Sequence, residues 1–233
     1  TEKEWDKKKL IVGIWANKHY SQHKDKIFYH LKNKHYKYLI YEILSKLISK
    51  TYRANLKNQL IDKRNDTFIN ISKIAKFDLF GKGWHSSHEV PKKVRLKMNK
   101  YKNNIFDGSL HKFEKLTKNE IYKDYKFALC FENTSSKSYI TEKIFDCFVN
   151  KIIPIYLGAP DINNYVPENC FIDYRNFNND RQLIDFLENF TLNDANKYLY
   201  NAQKFLLSKD IKRNKCEFFA ETIIDEIKKI NNK

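Results

Sequence analysis

Glycine and proline are rare in this sequence of 233 residues, with 5 and 4 copies respectively. Both counts are well below the usual shares of about 7% and 5%. The shortage excludes a collagen-like repeat and argues against an all-β fold, which needs many tight turns. Long hydrophobic runs are also missing, since residues 10–16 and 152–158 are only as long as strands, whereas a membrane-crossing helix needs roughly 18 apolar residues.

Cysteine is sparse too, and the four cysteines are far apart: Cys130, Cys147, Cys170 and Cys216. Because no Cys-x-x-Cys pair is present, we do not expect a structural zinc site. The spacing favours free, mostly buried thiols in a reducing compartment, with two disulfides as the formal alternative. The closest histidine pair, His85 and His88, has one acidic neighbour and is not expected to bind a metal.

Positive charge, in contrast, is abundant: 44 Lys+Arg against 28 Asp+Glu give a net charge of +16. A hydrophobic share of 42%, with 15% aromatic residues, argues against disorder. A basic surface of this kind could bind nucleic acid, an anionic membrane surface or a phosphorylated substrate. No RNA-binding aromatic signature, zinc finger or P-loop is present, so we do not expect nucleic-acid binding, while peripheral membrane contact through the basic surface stays open.

Apolar runs alternate with amphipathic segments along the chain. Buried strands are predicted over residues 9–16, 77–81, 127–132 and 152–157, with a short fifth strand at 170–173. Helices are predicted over residues 27–50, 117–125, 139–150, 179–190, 193–207 and 214–230. Residues 51–70 look like an insertion or mobile loop, and residues 86–112 show little pattern. The alternation predicts an α/β fold: a Rossmann-like parallel sheet with helices on both faces.

In such a sheet, ligands bind beyond the carboxyl ends of the strands. The start of the helix after the third predicted strand is the most informative such place, because Glu142 and Lys143 lie in its first turn. A lysine there is unfavourable by roughly 0.3–1 kcal/mol, and a bound anion reverses that sign. Lys143 and the helix N–H groups therefore predict a phosphate-binding corner, the alternative being an ordinary surface lysine.

Neighbouring side chains suit other parts of a nucleotide sugar. Glu142 cannot bind phosphate, but it suits sugar hydroxyls or a developing positive charge, or it only stabilises the helix. Tyr139 could stack on a ligand, donate to a phosphate or belong to the core. Asn133 follows the strand and either binds the ligand or caps the loop.

The blocks FALCFEN, YITEKIFD, IPIYLGAP and FIDYRNF occur in this order over residues 125–177. This stretch resembles the donor-binding signature of the α1,3/4-fucosyltransferases, glycosyltransferase family ten, with weaker likeness back to residues 77–84 and 9–17. The resemblance implies a GT-B architecture, GDP-fucose as donor, a glycan acceptor, an inverting mechanism and no required metal or cofactor. It implies that Lys143 holds the diphosphate, that Glu142 meets hydroxyls and the oxocarbenium-like charge, and that Asn133, Tyr139 and Gly81 complete the donor site.

The sequence departs from the family pattern in three places. The family usually places an arginine after the first strand, at the diphosphate. Here Lys24 and Lys26 lie near that position, and either one of them substitutes as a point charge or donor binding is weak. A basic helical insertion is expected at about 31–70. Since little precedes the first strand, we expect residues 1–233 to form the donor-binding half, with the acceptor-binding half and its general base apparently absent. Glu132, at the end of a strand, is a minor alternative for that base.

Two other functions remain possible at this stage: a transferase for a different nucleotide sugar, or a basic binding module without catalysis. The expected location is cytoplasmic or peripheral membrane for a bacterial protein, and the Golgi membrane for a eukaryotic one.

Overall fold

The computed structural model describes residues 1–15, 58–81, 84, 100, 102–107 and 117–208. Within them, a parallel sheet contains six strands: β1 (Lys9–Ile14), β2 (Phe77–Gly81), β3 (Ile105–Asp107), β4 (Tyr125–Phe131), β5 (Ile153–Leu157) and β6 (Ile172–Asp173). Their order is β3-β2-β1-β4-β5-β6, and every pairing is parallel. This is the Rossmann order, in which the direction of strand addition reverses between β1 and β4. The predicted α/β class is confirmed.

Helices cover both faces of the sheet in the described part of the chain. They are α1 (Glu2–Lys7), α2 (Ile61–Ile71), α3 (Lys118–Lys123), α4 (Glu142–Val149), α5 (Asp180–Glu188) and α6 (Leu192–Leu207). Side chains alternate across the strands, so that Phe127 of β4 packs into one hydrophobic cluster and its neighbour Ala128 into the other. Because both faces of each strand are buried, the strands read as continuous apolar runs in the sequence.

The two clusters divide the helices between the faces. Buried residues of α2 and α5, such as Phe68 and Leu183, belong to the first cluster, and those of α3 and α4, such as Tyr122 and Ile144, to the second. Helix α4 therefore lies on the opposite face of the sheet from α2. The site described below lies where these two helices meet the carboxyl edge.

The interpretation of residues 51–70 as a mobile loop is wrong for their last part. Residues 61–71 form α2, and its Phe68 and Ile71 are fully buried. Buried side chains at Ile61, Arg64 and Phe68 follow helical spacing, but the polar residues between them hide that pattern. Tertiary packing, and not the amphipathic signal alone, makes this segment a helix.

The other predicted elements agree with the structure where it describes them. Strand β3 was not predicted, because a strand of three residues carries almost no periodicity. The segments 27–50 and 214–230, predicted to be helical, lie outside the described residues, as do His85 and His88. Three of the cysteines, Cys130, Cys147 and Cys170, are free and buried, as predicted, and Cys216 lies outside. No helix among the described residues is long and apolar enough to span a membrane.

Candidate active site

The candidate site lies at the carboxyl ends of β1 and β4, where the strand order reverses. Trp15 follows β1 directly, while Glu132 and Asn133 follow β4. The backbone of Glu132 donates to the carbonyl of Leu157 at 2.8 Å, so the residue continues the pairing with β5. In open α/β sheets this reversal leaves a crevice in which ligands bind.

The loop after β4 is attached to the segment that leads into α2. Gln59 and Thr134 form an antiparallel bridge, and the N–H of Leu60 donates to the carbonyl of Asn133 at 2.9 Å. The Thr134 hydroxyl donates to the carbonyl of Asn58 at 3.0 Å. These bonds fix the beginning of α2 against the loop and so place Arg64 in the crevice.

Arg64 is a buried cation at the centre of this arrangement, with 2% of its surface exposed. Its guanidinium carbon lies 4.9 Å from the centre of the Trp15 ring, and its Nη1 donates to Oδ1 of Asn133 at 3.4 Å. Burial lowers the pKa of Arg64 to about 10, although attraction to the Glu132 carboxylate opposes that shift. Its buried Nε has no hydrogen-bond partner in the described structure. A fixed, incompletely paired guanidinium is suited to an anionic ligand.

Helix α4 begins one residue after Thr141, which is its N-cap. Thr141 makes no side-chain hydrogen bond to the first turn. Its hydroxyl lies 2.9 Å and 2.8 Å from the two carboxylate oxygens of Glu132 instead. The first turn of α4 therefore keeps N–H groups that its N-cap side chain does not satisfy, at the positive end of the helix dipole.

Lys143 returns to the beginning of its own helix. Its Nζ donates to Oε2 of Glu132 at 2.8 Å and to Oγ1 of Thr141 at 2.7 Å, and its side chain is 25% exposed. Glu142 is 68% exposed, and its Oε1 lies 4.0 Å from Nζ of Lys143. Lys143 and Glu142 thus lie in the first turn of α4, and a buried carboxylate already holds the lysine.

The remaining predicted residues are less closely associated with this corner. Tyr139 lies before the N-cap of α4, with 36% of its surface exposed. Gly81 ends β2 on the same edge of the sheet, at a φ of 154° that favours glycine, but β1 separates it from β4. Lys24 and Lys26 lie outside the described residues.

A short clamp holds the loop before α4. Ser138 has a left-handed φ of 60°, and its N–H donates to Oδ1 of Asp161 at 2.9 Å. Its Oγ lies 3.4 Å from Oδ2 of Asp161 and 2.7 Å from the hydroxyl of Tyr165. The hydrogen bond from the Ser138 backbone is the main cause that lowers the pKa of Asp161. We call these three residues the loop clamp.

Lys118, at the start of α3, lines the crevice together with Arg64 and Lys143. Its Nζ is 2.6 Å from Oδ2 of Asp146 on α4. Three cations from three helices thus surround the crevice between β1 and β4. Among the described residues, no three or more His, Cys, Asp or Glu side chains are grouped so that they could hold a metal ion.

Arg64 is not among the residues predicted for the site, because residues 51–70 were interpreted as an insertion or mobile loop. The signal was nevertheless available: Arg64 lies four residues before Phe68 on the buried face of α2. An arginine among the apolar positions of a helix needs a partner or a ligand. The arrangement also argues against Glu132 as a general base, since it is fully buried and both its oxygens are engaged.

Comparison with known proteins identifies the type of domain. The family model described as glycosyltransferase family 10 (fucosyltransferase), C-terminal part, matches residues 41–205. An alpha-(1,3)-fucosyltransferase of Helicobacter pylori is 41% identical over 71 residues, which are 30% of this chain and 15% of that protein. A 4-galactosyl-N-acetylglucosaminide 3-alpha-L-fucosyltransferase 9 of Mus musculus is 39% identical over 77 residues, 32% of this chain and 21% of that protein.

A crystal structure of an alpha1,3-fucosyltransferase with GDP-fucose is also similar, with a TM-score of 0.48 and 20% identity. The similarity covers 86% of this chain and 46% of that one. The matched stretches cover only a small part of the two curated relatives, 15% and 21% of their lengths.

Proposed function

The chain belongs to glycosyltransferase family 10, the fucosyltransferases, and from that membership we propose that it binds GDP-fucose and takes part in transferring fucose to a hydroxyl of a glycan acceptor. We propose an α1,3-type, inverting reaction without a required metal, in a GT-B protein whose donor-binding half is this chain. The relatives named above are fucosyltransferases, and one similar structure holds GDP-fucose.

The observation that carries the proposal is the pair of cations at the reversal of strand order. Arg64 comes from α2 on one face of the sheet and Lys143 from α4 on the other. Both lie beside the beginning of α4, where helix N–H groups attract anions. A diphosphate there would meet a guanidinium, an ammonium and the helix dipole together.

Transfer requires the acceptor oxygen to lose its proton and to form a bond to the anomeric carbon of fucose. The bond from that carbon to the diphosphate oxygen breaks, and its electron pair leaves with GDP. Negative charge therefore grows on the diphosphate as the reaction proceeds, and fixed cations stabilise it in the transition state. We propose that Lys143, as expected from the sequence, does this together with Arg64, and that Lys24 or Lys26 adds a further charge.

The exposed Glu142 is proposed to meet ribose or fucose hydroxyls and the positive charge that develops at the sugar carbon. Tyr139 and Asn133 are proposed to contact the nucleotide sugar, with Gly81 at the edge of the donor site. Asn133 also holds Arg64 through its Oδ1. The general base has no candidate among these residues.

Lys143→Ala tests the central role. Loss of one preorganised charge is expected to reduce transition-state stabilisation by about 2–4 kcal/mol, and to weaken GDP binding in calorimetry. Lys204→Ala, an exposed lysine on α6, is the matched control and should bind GDP normally. Equal GDP affinity for Lys143→Ala and the unaltered chain would reject the diphosphate role.

A thermal-shift series separates this proposal from the other two functions. GDP and GDP-fucose should stabilise the chain, whereas UDP and a short oligonucleotide should not. Equal stabilisation by GDP-mannose and GDP-fucose would not distinguish the two sugars. Direct transfer assays with radiolabelled donors would then identify the sugar that is transferred. Stabilisation by the oligonucleotide alone, lost steeply with added salt, would show a nucleic-acid-binding module instead.

A further inference from the structure

Glu132 is a charged group in the candidate site for which the proposed reaction gives no role. It follows β4 and is fully buried, with 0% of its surface exposed. Burying a carboxylate is costly unless it is paired and hydrogen-bonded. The groups that Glu132 contacts must therefore explain why a buried carboxylate lies here.

The described hydrogen bonds of its carboxylate all come from the beginning of α4, while Arg64 of α2 attracts it only through its charge. Oε1 accepts the backbone N–H of Thr141 at 2.8 Å, and Oε2 accepts Nζ of Lys143 at 2.8 Å. The Thr141 hydroxyl lies within 2.9 Å of both oxygens. A single carboxylate thereby joins the end of the strand, the N-cap of the helix and the lysine of the first turn.

The packing around Glu132 allows it little movement. Gly158 packs directly against Glu132 and Tyr156. A Cβ atom added at this glycine would lie 2.6 Å from Cγ of Glu132 and 2.3 Å from the hydroxyl of Tyr156, so no larger side chain fits there. That hydroxyl accepts the N–H of Ala159 at 3.0 Å, which fixes the loop after β5 as well. The carboxylate is thus held in one place, and whatever it binds is held with it.

Without such a partner, Lys143 would be free to move. A lysine has four rotatable side-chain bonds, and the helix dipole repels its charge from the first turn of α4. Glu132 and Thr141 occupy two of the three N–H donors of the ammonium and leave one for a ligand.

We propose that Glu132 is a positioning residue, which holds the ammonium of Lys143 at the beginning of α4 so that its remaining N–H meets the diphosphate. The inference rests on the proposed function. It differs from the opposite possibility, in which Glu132 competes with the phosphate for the lysine. When the carboxylate loses its charge, the positioning role predicts weaker GDP binding, whereas competition for the lysine predicts tighter GDP binding.

The test is a double-mutant cycle with GDP binding measured by calorimetry on the full chain. Glu132→Gln keeps the size of the side chain and an oxygen for the Thr141 N–H, but it removes the charge. GDP should bind about 3- to 10-fold more weakly to Glu132→Gln. In a Lys143→Ala background the same change should alter the affinity by less than about 1.5-fold, because the lysine through which it acts is gone.

Other outcomes would overturn the inference. Tighter binding to Glu132→Gln would show that the carboxylate masks the lysine, and equal losses in both backgrounds would show that it does not act through Lys143. Failure of the unaltered chain to bind GDP would reject the proposed function, and the inference with it. Glu168→Gln, an exposed glutamate before β6, controls for the loss of one negative charge.

A second variant covers the case in which Glu132→Gln does not fold. Thr141→Val removes the hydroxyl that contacts both Lys143 and Glu132 but keeps the shape and the backbone bond. It should weaken GDP binding 2- to 5-fold, again only where Lys143 is present. An unchanged affinity, in a variant that unfolds at the normal temperature, would contradict the positioning role.

Discussion

A single buried arginine connects the stability of this domain to its proposed ligand. Arg64 is nearly inaccessible, stacks on Trp15 and donates one long hydrogen bond to Oδ1 of Asn133. A buried charge that is incompletely paired opposes folding, because its desolvation cost is not fully offset. A bound anion would supply the pairing that the described contacts of Arg64 leave incomplete.

Arg64→Met should therefore separate folding from binding. We expect the free energy of unfolding to stay unchanged or to rise by about 1–2 kcal/mol, because the desolvated charge is removed. The affinity for GDP should fall by about 100-fold. Urea denaturation and calorimetry on the same preparation measure the two quantities.

Arg64→Lys is the matched comparison, because it keeps the charge but loses the planar group that stacks on Trp15. We expect an intermediate loss of GDP affinity, of about 10-fold. Strong destabilisation by Arg64→Met with normal GDP binding would mean that the arginine is structural.

At the scale of whole elements, the loop between β4 and α4 determines where the first turn of the helix lies. The loop clamp, Ser138 with Asp161 and Tyr165, fixes this loop against the segment after β5. A residue other than glycine in the left-handed region costs roughly 1–2 kcal/mol. The bonds to Asp161 offset that cost.

Asp161→Ala should release the loop and weaken GDP binding about 3- to 10-fold. Adding Ser138→Gly should recover part of the affinity, because glycine adopts the positive φ without strain. Calorimetry on the two single variants and the double variant measures the coupling. Purely additive effects would show that the strain at Ser138 does not depend on Asp161.

The same clamp should depend on pH. The pKa of Asp161 is lowered, chiefly by the hydrogen bond from the Ser138 N–H. Its contribution is complete above the ordinary pKa of an aspartate, about 4, and is lost as the pH falls through the lowered value. An NMR titration of the Ser138 amide should show this change below pH 4. A carboxyl that titrates at or above its ordinary pKa would contradict the clamp.

The elements differ in how far the sequence reveals them. Strands β1, β2, β4 and β5 are buried on both faces, so their apolar runs stand out against a polar chain. Helix α4 could also be predicted from its amphipathic face, although its start was expected at residue 139 and lies at Glu142. Helix α2 could not, since four of its eleven residues are charged.

The residues of the site likewise differ in how far the sequence reveals them. Lys143, Glu142 and Asn133 could be predicted because they are adjacent to recognisable elements. Arg64 comes from a helix that the pattern hides, and the role of Glu132 depends on contacts across nine and eleven residues of chain. Such contacts become visible only when the strand and the helix are placed together.

At the scale of the whole molecule, the crevice joins the two hydrophobic layers. Arg64 belongs to a helix of one layer and Lys143 to a helix of the other, and they meet at the carboxyl edge between β1 and β4. A ligand bound to both cations would hold α2 and α4 against the same strands. Binding should therefore oppose global unfolding, and not only the opening of a loop.

GDP is accordingly expected to raise the free energy of unfolding of the whole domain. At about 100 times its dissociation constant, a ligand that binds only the folded state adds about 2.7 kcal/mol. For a chain of this size the melting temperature would rise by about 5–10 °C. Differential scanning calorimetry measures the shift directly. If Lys143→Ala weakens binding about 30-fold, the same GDP concentration should add only about 0.9 kcal/mol. An equal shift in both proteins would place the nucleotide elsewhere on the molecule, because the crevice cannot bind GDP unchanged after it has lost one of its cations.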